Sequence, residues 1–178
     1  MLIYYYLNDD DLHLYLERSF EDLRKKEIYN QISSLLVSGQ VVNRFPILPS
    51  KLKVINFRNG FLTEFPKLPK TIEDVTLANL QIKELPNMSE FLKLTSLNIS
   101  GNLLKELPKF PMSLKVLKIG NNHFQELPDL SYLRDLQILC CNHNLLSKLP
   151  KLSSQVRILT CHDNQLESIP ENIYSSMF

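Results

Sequence analysis

The residues able to do chemistry gather late in the chain. Cys140, His143, His162 and Asp163 are the types that make an activated thiol nucleophile, and the same set can ligate zinc. Cys140 and His162 stand 22 positions apart, and His143 and Asp163 stand 20 apart, so their meeting depends on the fold between them. On sheet geometry, an offset of one strand and two residues separates the Cys140 and His162 backbones by about 8 Å. Nothing in the sequence encloses them in a cleft. Cys141 and Cys161 fall at apolar positions of a repeat, where cysteine acts as a small hydrophobe. A reactive thiolate needs exposure and a cationic neighbour instead. The chain is therefore expected to be non-enzymatic, with no catalytic residue, no metal and no cofactor. Its late polar residues read as the rim of a binding surface.

The elements that position these residues repeat. Leu94-Leu97-Ile99-Asn102-Leu104 spells L-x-x-L-x-L-x-x-N-x-L, the leucine-rich repeat segment of a short strand and an asparagine-closed bend. The frame returns at Leu114-Leu117-Ile119-Asn122-Phe124, at Leu136-Leu139-Cys141-Asn144-Leu146 and at Val156-Leu159-Cys161-Asn164-Leu166. Weaker copies begin at Leu52 and Ile72, with Gly60 and Leu80 in the asparagine slot and Asn59 and Asn79 one place early. The fold class is thus an α/β solenoid with short parallel strands on a concave face and an extended convex side. Asn102, Asn122, Asn144 and Asn164 are expected to form a buried ladder that satisfies loop N–H and C=O groups. The first two coils are expected to be less regular, as terminal repeats are.

Prolines punctuate the repeats. Pro46, Pro66, Pro86, Pro108, Pro128, Pro150 and Pro170 recur at intervals of 20 or 22 residues. Proline fixes φ and lacks an N–H, which suits an extended convex segment. The two 22-residue repeats carry Ser89 and Ser131 ahead of apolar residues, which predicts a single serine-capped helical turn in each. The chain divides into an N-terminal helical cap at 1–44, six leucine-rich repeats at 45–168, and a short C-terminal cap or truncated repeat at 169–178. The cap reading rests on Leu12, Tyr15, Leu16, Phe20, Leu23, Ile28, Ile32, Leu35 and Leu36, whose spacings of three to five predict helices over 8–38. Such a cap would cover the open end of the solenoid.

Side chains alternate along a strand, so the concave wall can be written as columns. The first is Val54, Asp74, Ser96, Val116, Ile138 and Ile158. The second is Asn56, Thr76, Asn98, Lys118, Cys140 and Thr160. Arg58, Asn142 and His162 belong to a third, beside Ala78, Ser100 and Gly120. His143 belongs to a fourth, with Asn59, Asn79, Gly101, Asn121 and Asp163. The first two columns with Arg58, Asn142, His143 and His162 are the candidate partner-binding residues. Val116, Ile138 and Ile158 make one apolar row in adjacent repeats, a docking patch for protein.

Composition excludes other classes. Net charge is +1, and hydrophobic residues make up 44% of 178, enough for a packed core without a pull toward nucleic acid or anionic lipid. Only four glycines are present, which excludes most phosphate cradles. Three clustered cysteines are not a disulfide framework and favour a reducing compartment. The apolar start, Leu2 to Leu7, is too short and wrongly flanked for a cleavable signal peptide, and no run is long enough to span a bilayer.

Phe65-Pro-Lys-Leu-Pro-Lys-Thr-Ile72 and Leu107-Pro-Lys-Phe-Pro-Met-Ser-Leu114 resemble the L-P-x-L-P-x-x-L module of short bacterial leucine-rich repeats, the LPX type of secreted effectors of the YopM and IpaH kind. The resemblance covers about three quarters of the chain, and a helical segment before the repeats matches the family layout. It implies a protein secreted by a specialised bacterial system into the host cell, in the host cytoplasm, binding a host protein through the concave face. The partners expected are a host protein, with no nucleic acid and no membrane span, and the chain is expected to be a monomer. Some members add a ligase domain with a Cys-x-Asp motif. Cys161-His162-Asp163 spells that motif but sits inside a repeat, and these 178 residues are expected to be the repeat part without such a domain. The alternative reading is a substrate-recognition adaptor of a ubiquitin ligase, with the N-terminal helices recruiting the machinery.

Overall fold

The computed structural model describes residues 3–8, 11–16, 31–38, 41–42, 47–62 and 64–168. Eleven strands run through them. β1 (Ile3–Asn8) and β2 (Asp11–Leu16) form an antiparallel hairpin. Then come β3 (Ser34–Ser38), β4 (Val41–Val42), β5 (Val54–Arg58), β6 (Phe61–Leu62) and β7 (Asp74–Ala78). The last four are β8 (Ser96–Asn98), β9 (Val116–Lys118), β10 (Ile138–Cys140) and β11 (Ile158–Thr160). Nine of them build one sheet in the order β1-β2-β3-β5-β7-β8-β9-β10-β11, parallel from β2 onward, and β4 pairs with β6 in a second small sheet.

The helices expected over 8–38 are not what the described residues form. Asp11–Leu16 is a strand, Ser34–Ser38 is another, and there is no α-helix among the described residues. Two features of the sequence explain the difference. Leu12, Leu14 and Leu16 also alternate at period two, the strand period. Ile32, Leu35 and Val37 reproduce the frame of Leu52, Ile55 and Phe57 at a 20-residue offset. Apolar residues three apart serve a helix face and a repeat's strand entry equally well, and stacking decides between them. Ile32, Leu35 and Val37 are buried, and β3 pairs with β5 from Ser34↔Val54 to Ser38↔Arg58. The repeat frame therefore starts one coil earlier than the six frames, and the parallel stack reaches back one strand further, to β2. The stretches at 17–30 and 169–178, and with them part of the proposed N-terminal cap and all of the C-terminal one, lie outside the described residues.

Alternation does the packing. Ile55, Val75, Leu97, Leu117 and Leu139 form a central row with no exposed surface, flanked by Phe57, Leu77, Ile99, Ile119 and Cys141 on one side and by Leu52, Ile72, Leu94, Leu114 and Leu136 on the other. Each coil cannot cover its own apolar side chains. Stacking joins them into one continuous core, which is the source of stability in such arrays.

On the side away from the main sheet, the two repeat lengths have two conformations. The 20-residue coils enter the strand through one turn, with the Leu52, Ile72 and Leu114 N–H groups bonded to Pro49, Pro69 and Pro111 carbonyls. The 22-residue coils insert two successive turns, Met88 to Phe91 to Leu94 and Leu130 to Leu133 to Leu136. The caps there are Asn87 and Asp129, whose side-chain oxygens accept from the Ser89 and Ser131 N–H groups. The serines receive the cap, a correction to the expected serine cap.

Candidate functional site: the open face of the sheet

The strand register aligns the outward residues into straight rows. Val54, Asp74, Ser96, Val116, Ile138 and Ile158 are successive partners, and so are Asn56, Thr76, Asn98, Lys118, Cys140 and Thr160. Each row shows its side chains on the face opposite the core. The face is not uniform along its length.

Toward the amino-terminal end it is polar. Val54, Asn56, Arg58, Asp74, Thr76, Ser96, Asn98 and Lys118 line an open depression of about 250 Å³. The Arg58 guanidinium donates to Asn56 Oδ1 at 2.9 Å. Asp74 lines it half-buried. Burial pushes its carboxyl above the usual range, while the Ser96 hydroxyl and the Lys118 and Arg58 charges oppose that rise. Thr76 is buried within this row.

Toward the carboxy-terminal end the first row turns apolar. Val116 and Ile138 are half-buried, and Ile158 is 50% exposed on β11. The three sit in adjacent strands in direct register, so their side chains form one patch.

Past the strands the chain bends, and the bend has its own chemistry. Asn59, Asn79, Gly101, Asn121, His143 and Asp163 all adopt positive φ, between 52° and 70°. Left-handed backbone disfavours ordinary side chains and tolerates Gly, Asn, Asp and His. The composition of this column is therefore set first by backbone conformation. His143 and Asp163 nevertheless meet. His143 Nδ1 lies 3.2 Å and His162 Nδ1 2.6 Å from Asp163 Oδ2, and the two imidazoles contact edge to face with centroids 5.1 Å apart. Hydrogen bonding from His162 holds the Asp163 carboxyl below its usual range, with smaller help from the His143 and His162 charges. Asp163 is absent from the binding residues chosen on sequence, although its position beside His162 and one repeat after His143 was the signal.

The cysteines do not join this group among the described residues, and all three are free thiols. Cys141 is fully buried, and burial followed by the nearby Cys161 and Cys140 pushes its thiol up to about 12. Burial raises the Cys161 thiol as well. A thiol so held is not a nucleophile at neutral pH.

Asn102, Asn122, Asn144 and Asn164 lie beneath the bends and act on the backbone. Asn102 Oδ1 accepts from the Leu80 and Ile82 N–H groups, and its Nδ2 donates to the Leu77 and Ile99 carbonyls. Asn122 serves Leu104, Ile99 and Ile119, and Asn144 serves Phe124, Ile119 and Cys141. Asn164 serves Leu146, Cys141 and Cys161. Every side chain thus ties its own coil to the preceding one. All four bond to backbone groups of neighbouring coils.

No protein-family model matches the sequence, and no curated protein matches it. Solved structures do. YopM from Yersinia enterocolitica is 30% identical over 79% of this chain and 31% of its own, with a TM-score of 0.73. YopM from Yersinia pestis, described as a leucine-rich effector protein, is 30% identical over 80% of this chain and 46% of its own, with a TM-score of 0.69. A Shigella effector leucine-rich repeat domain is 31% identical over 81% of this chain and 64% of its own, with a TM-score of 0.72. The chain spans between about a third and two thirds of those structures. The ligase-adaptor reading finds no support here, since it required helices where β2 and β3 stand. No helix among the described residues is long and apolar enough to cross a membrane. The stacked parallel strands and these neighbours together establish a leucine-rich repeat solenoid of the kind found in bacterial effectors.

Proposed function

We propose that this chain is a non-enzymatic protein-binding module, the LPX-type repeat part of a secreted bacterial effector, and that it holds a host protein on the concave face of its repeats. The observation that carries this reading is the in-register row Val116, Ile138 and Ile158. Three apolar side chains on adjacent strands of an open face form one patch that burial against a partner would remove from water. The polar depression around Asp74 and Lys118 supplies hydrogen-bonding groups at the other end of the same face. Apolar contact area and hydrogen-bonding groups side by side on one face are both components of a protein interface. The likeness to effector domains supports delivery by a specialised secretion system into the host cytoplasm.

The test is affinity capture from host-cell lysate with the immobilised chain and with a variant carrying Val116→Asp, Ile138→Asp and Ile158→Asp. The expected result is loss of the captured partner by a variant that still melts cooperatively, at a lower temperature because three carboxylates then stand in register. Ile158→Arg alone, at the most exposed of the three positions, is the milder companion and should weaken capture in the same direction. Retention of every captured protein by both variants contradicts the reading.

A further inference from the structure

We propose that His143, His162 and Asp163 form a binding site for one divalent transition-metal ion of the zinc class. Each residue offers one ligand atom, and the three atoms lie within 4.8 Å of one another. Two imidazole nitrogens and a carboxylate oxygen are a donor set suited to Zn²⁺, whose bonds to such atoms are about 2.0–2.2 Å. Tetrahedral bonds of that length place neighbouring ligand atoms about 3.4 Å apart. The His143 Nδ1 to Asp163 Oδ2 separation of 3.2 Å is close to that spacing, and the 2.6 Å contact from His162 opens by a rotation of exposed side chains. Zinc then takes the place of the Nδ1 protons between the rings and the carboxylate. Each imidazole stays neutral, with its proton on Nε2.

The backbone holds these ligands ready. The His143 N–H bonds to the His162 carbonyl at 3.0 Å, and the Asn144 N–H bonds to the Asp163 carbonyl at 3.1 Å. The two bends that carry the ligands are thus clamped together at the ligand residues themselves. His143 and Asp163 are further fixed by their left-handed φ of 52° and 54°. All three side chains are exposed, between 47% and 63%, so the fourth coordination position faces solvent and takes water or a small donor.

The fold supplies its own conservative variants. Asn121 occupies the slot of His143 one repeat earlier, with φ of 53°, so Asn is tolerated there. His143→Asn and Asp163→Asn keep the bend and remove a ligand. Calorimetric titration of the whole chain with Zn²⁺ alone should show one ion per chain. Each variant should weaken binding at least about tenfold, since even a lost supporting partner typically costs about 10–100-fold. Cys140→Ser should leave the affinity unchanged, and metal-free melts of all variants should coincide. Imidazole resonances of His143 and His162 should shift together on adding zinc. The proposal is overturned if the parent chain takes up no Zn²⁺, if both Asn variants bind within about twofold of the parent, or if Cys140→Ser alone abolishes uptake.

Discussion

The amino-terminal and carboxy-terminal coils share one strand frame but close their bends by different means. In the first, β6 pairs with β4, and the Leu62 N–H bonds to the Leu80 carbonyl at 3.0 Å. Backbone satisfies backbone. In later coils the equivalent N–H groups of Ile82, Leu104, Phe124 and Leu146 bond instead to the amide oxygens of Asn102, Asn122, Asn144 and Asn164. An asparagine side chain carries the same donor and acceptor as a peptide unit, so it can replace a second ladder. Where the backbone closes the bend itself, the slot has no polar work and holds Leu80, fully buried. The departure at Leu80 is thus a second solution to one accounting problem: every buried N–H and C=O must find a partner.

This contrast can be broken in both directions. The largest effect is expected from Asn122→Leu, which strands the Leu104 N–H and takes one of two amide donors from the Ile99 and Ile119 carbonyls, leaving them Asn102 and Asn144. At about 1–3 kcal/mol for the buried N–H left unpaired and about 0.5–1 kcal/mol for each bond lost from a carbonyl that keeps a second donor, the loss should be roughly 2–5 kcal/mol, read by urea denaturation. The converse, Leu80→Asn, places an amide where the Leu62 N–H is already bonded and should cost about 1–3 kcal/mol. A neutral or stabilising result there would mean that the two closures are interchangeable.

Gly101→Ala comes next, at about 1–2 kcal/mol, because φ at 101 is +70° and an added Cβ meets the Asn79 amide. That amide donates to Asn59 Oδ1 at 2.9 Å, so the same change also disturbs the bend column of the early coils. Asn121→Gly, in the same column but exposed, should stay within about 0.5 kcal/mol.

The smallest effect is electrostatic and confined to the polar end. Burial raises the folded-state carboxyl of Asp74 above its unfolded value, so the unfolded chain loses its proton first as pH rises. Stability therefore falls as pH climbs from the unfolded to the folded titration point, and ionised Asp74 is a net cost at neutral pH. Asp74→Asn should raise the melting temperature slightly at pH 7, and the gain should vanish below the unfolded carboxylate range. A lower melting temperature at pH 7 would show that the Ser96, Lys118 and Arg58 contacts outweigh burial.

Much of the fold was legible in the residues. The period of 20 or 22 and the L-x-x-L-x-L pattern specify a stack, and the outer rows follow from alternation alone. The start of the chain was not legible in the same way. Ile32 and Leu35 are three apart, a spacing common to a helix face and a strand entry, and only their pairing through β3 to β5 distinguishes the two. The meeting of His143 with Asp163 was half legible. Spacing put them one coil apart in the same column, but the left-handed backbone that turns their side chains together has no signature beyond the recurrence of Asn, Gly, His and Asp.

The most direct measurement sets the two ends of the open face against each other. Affinity for a captured host protein should be compared between Val116→Asp/Ile138→Asp/Ile158→Asp and Asn56→Asp/Arg58→Glu. The apolar row is expected to hold the anchoring contacts, so the first variant should lose at least about thirtyfold, the size of a typical hot spot, and the second no more than a few fold. Unchanged affinity in the first variant with a large loss in the second would contradict the account and move the binding centre to the Asp74 depression.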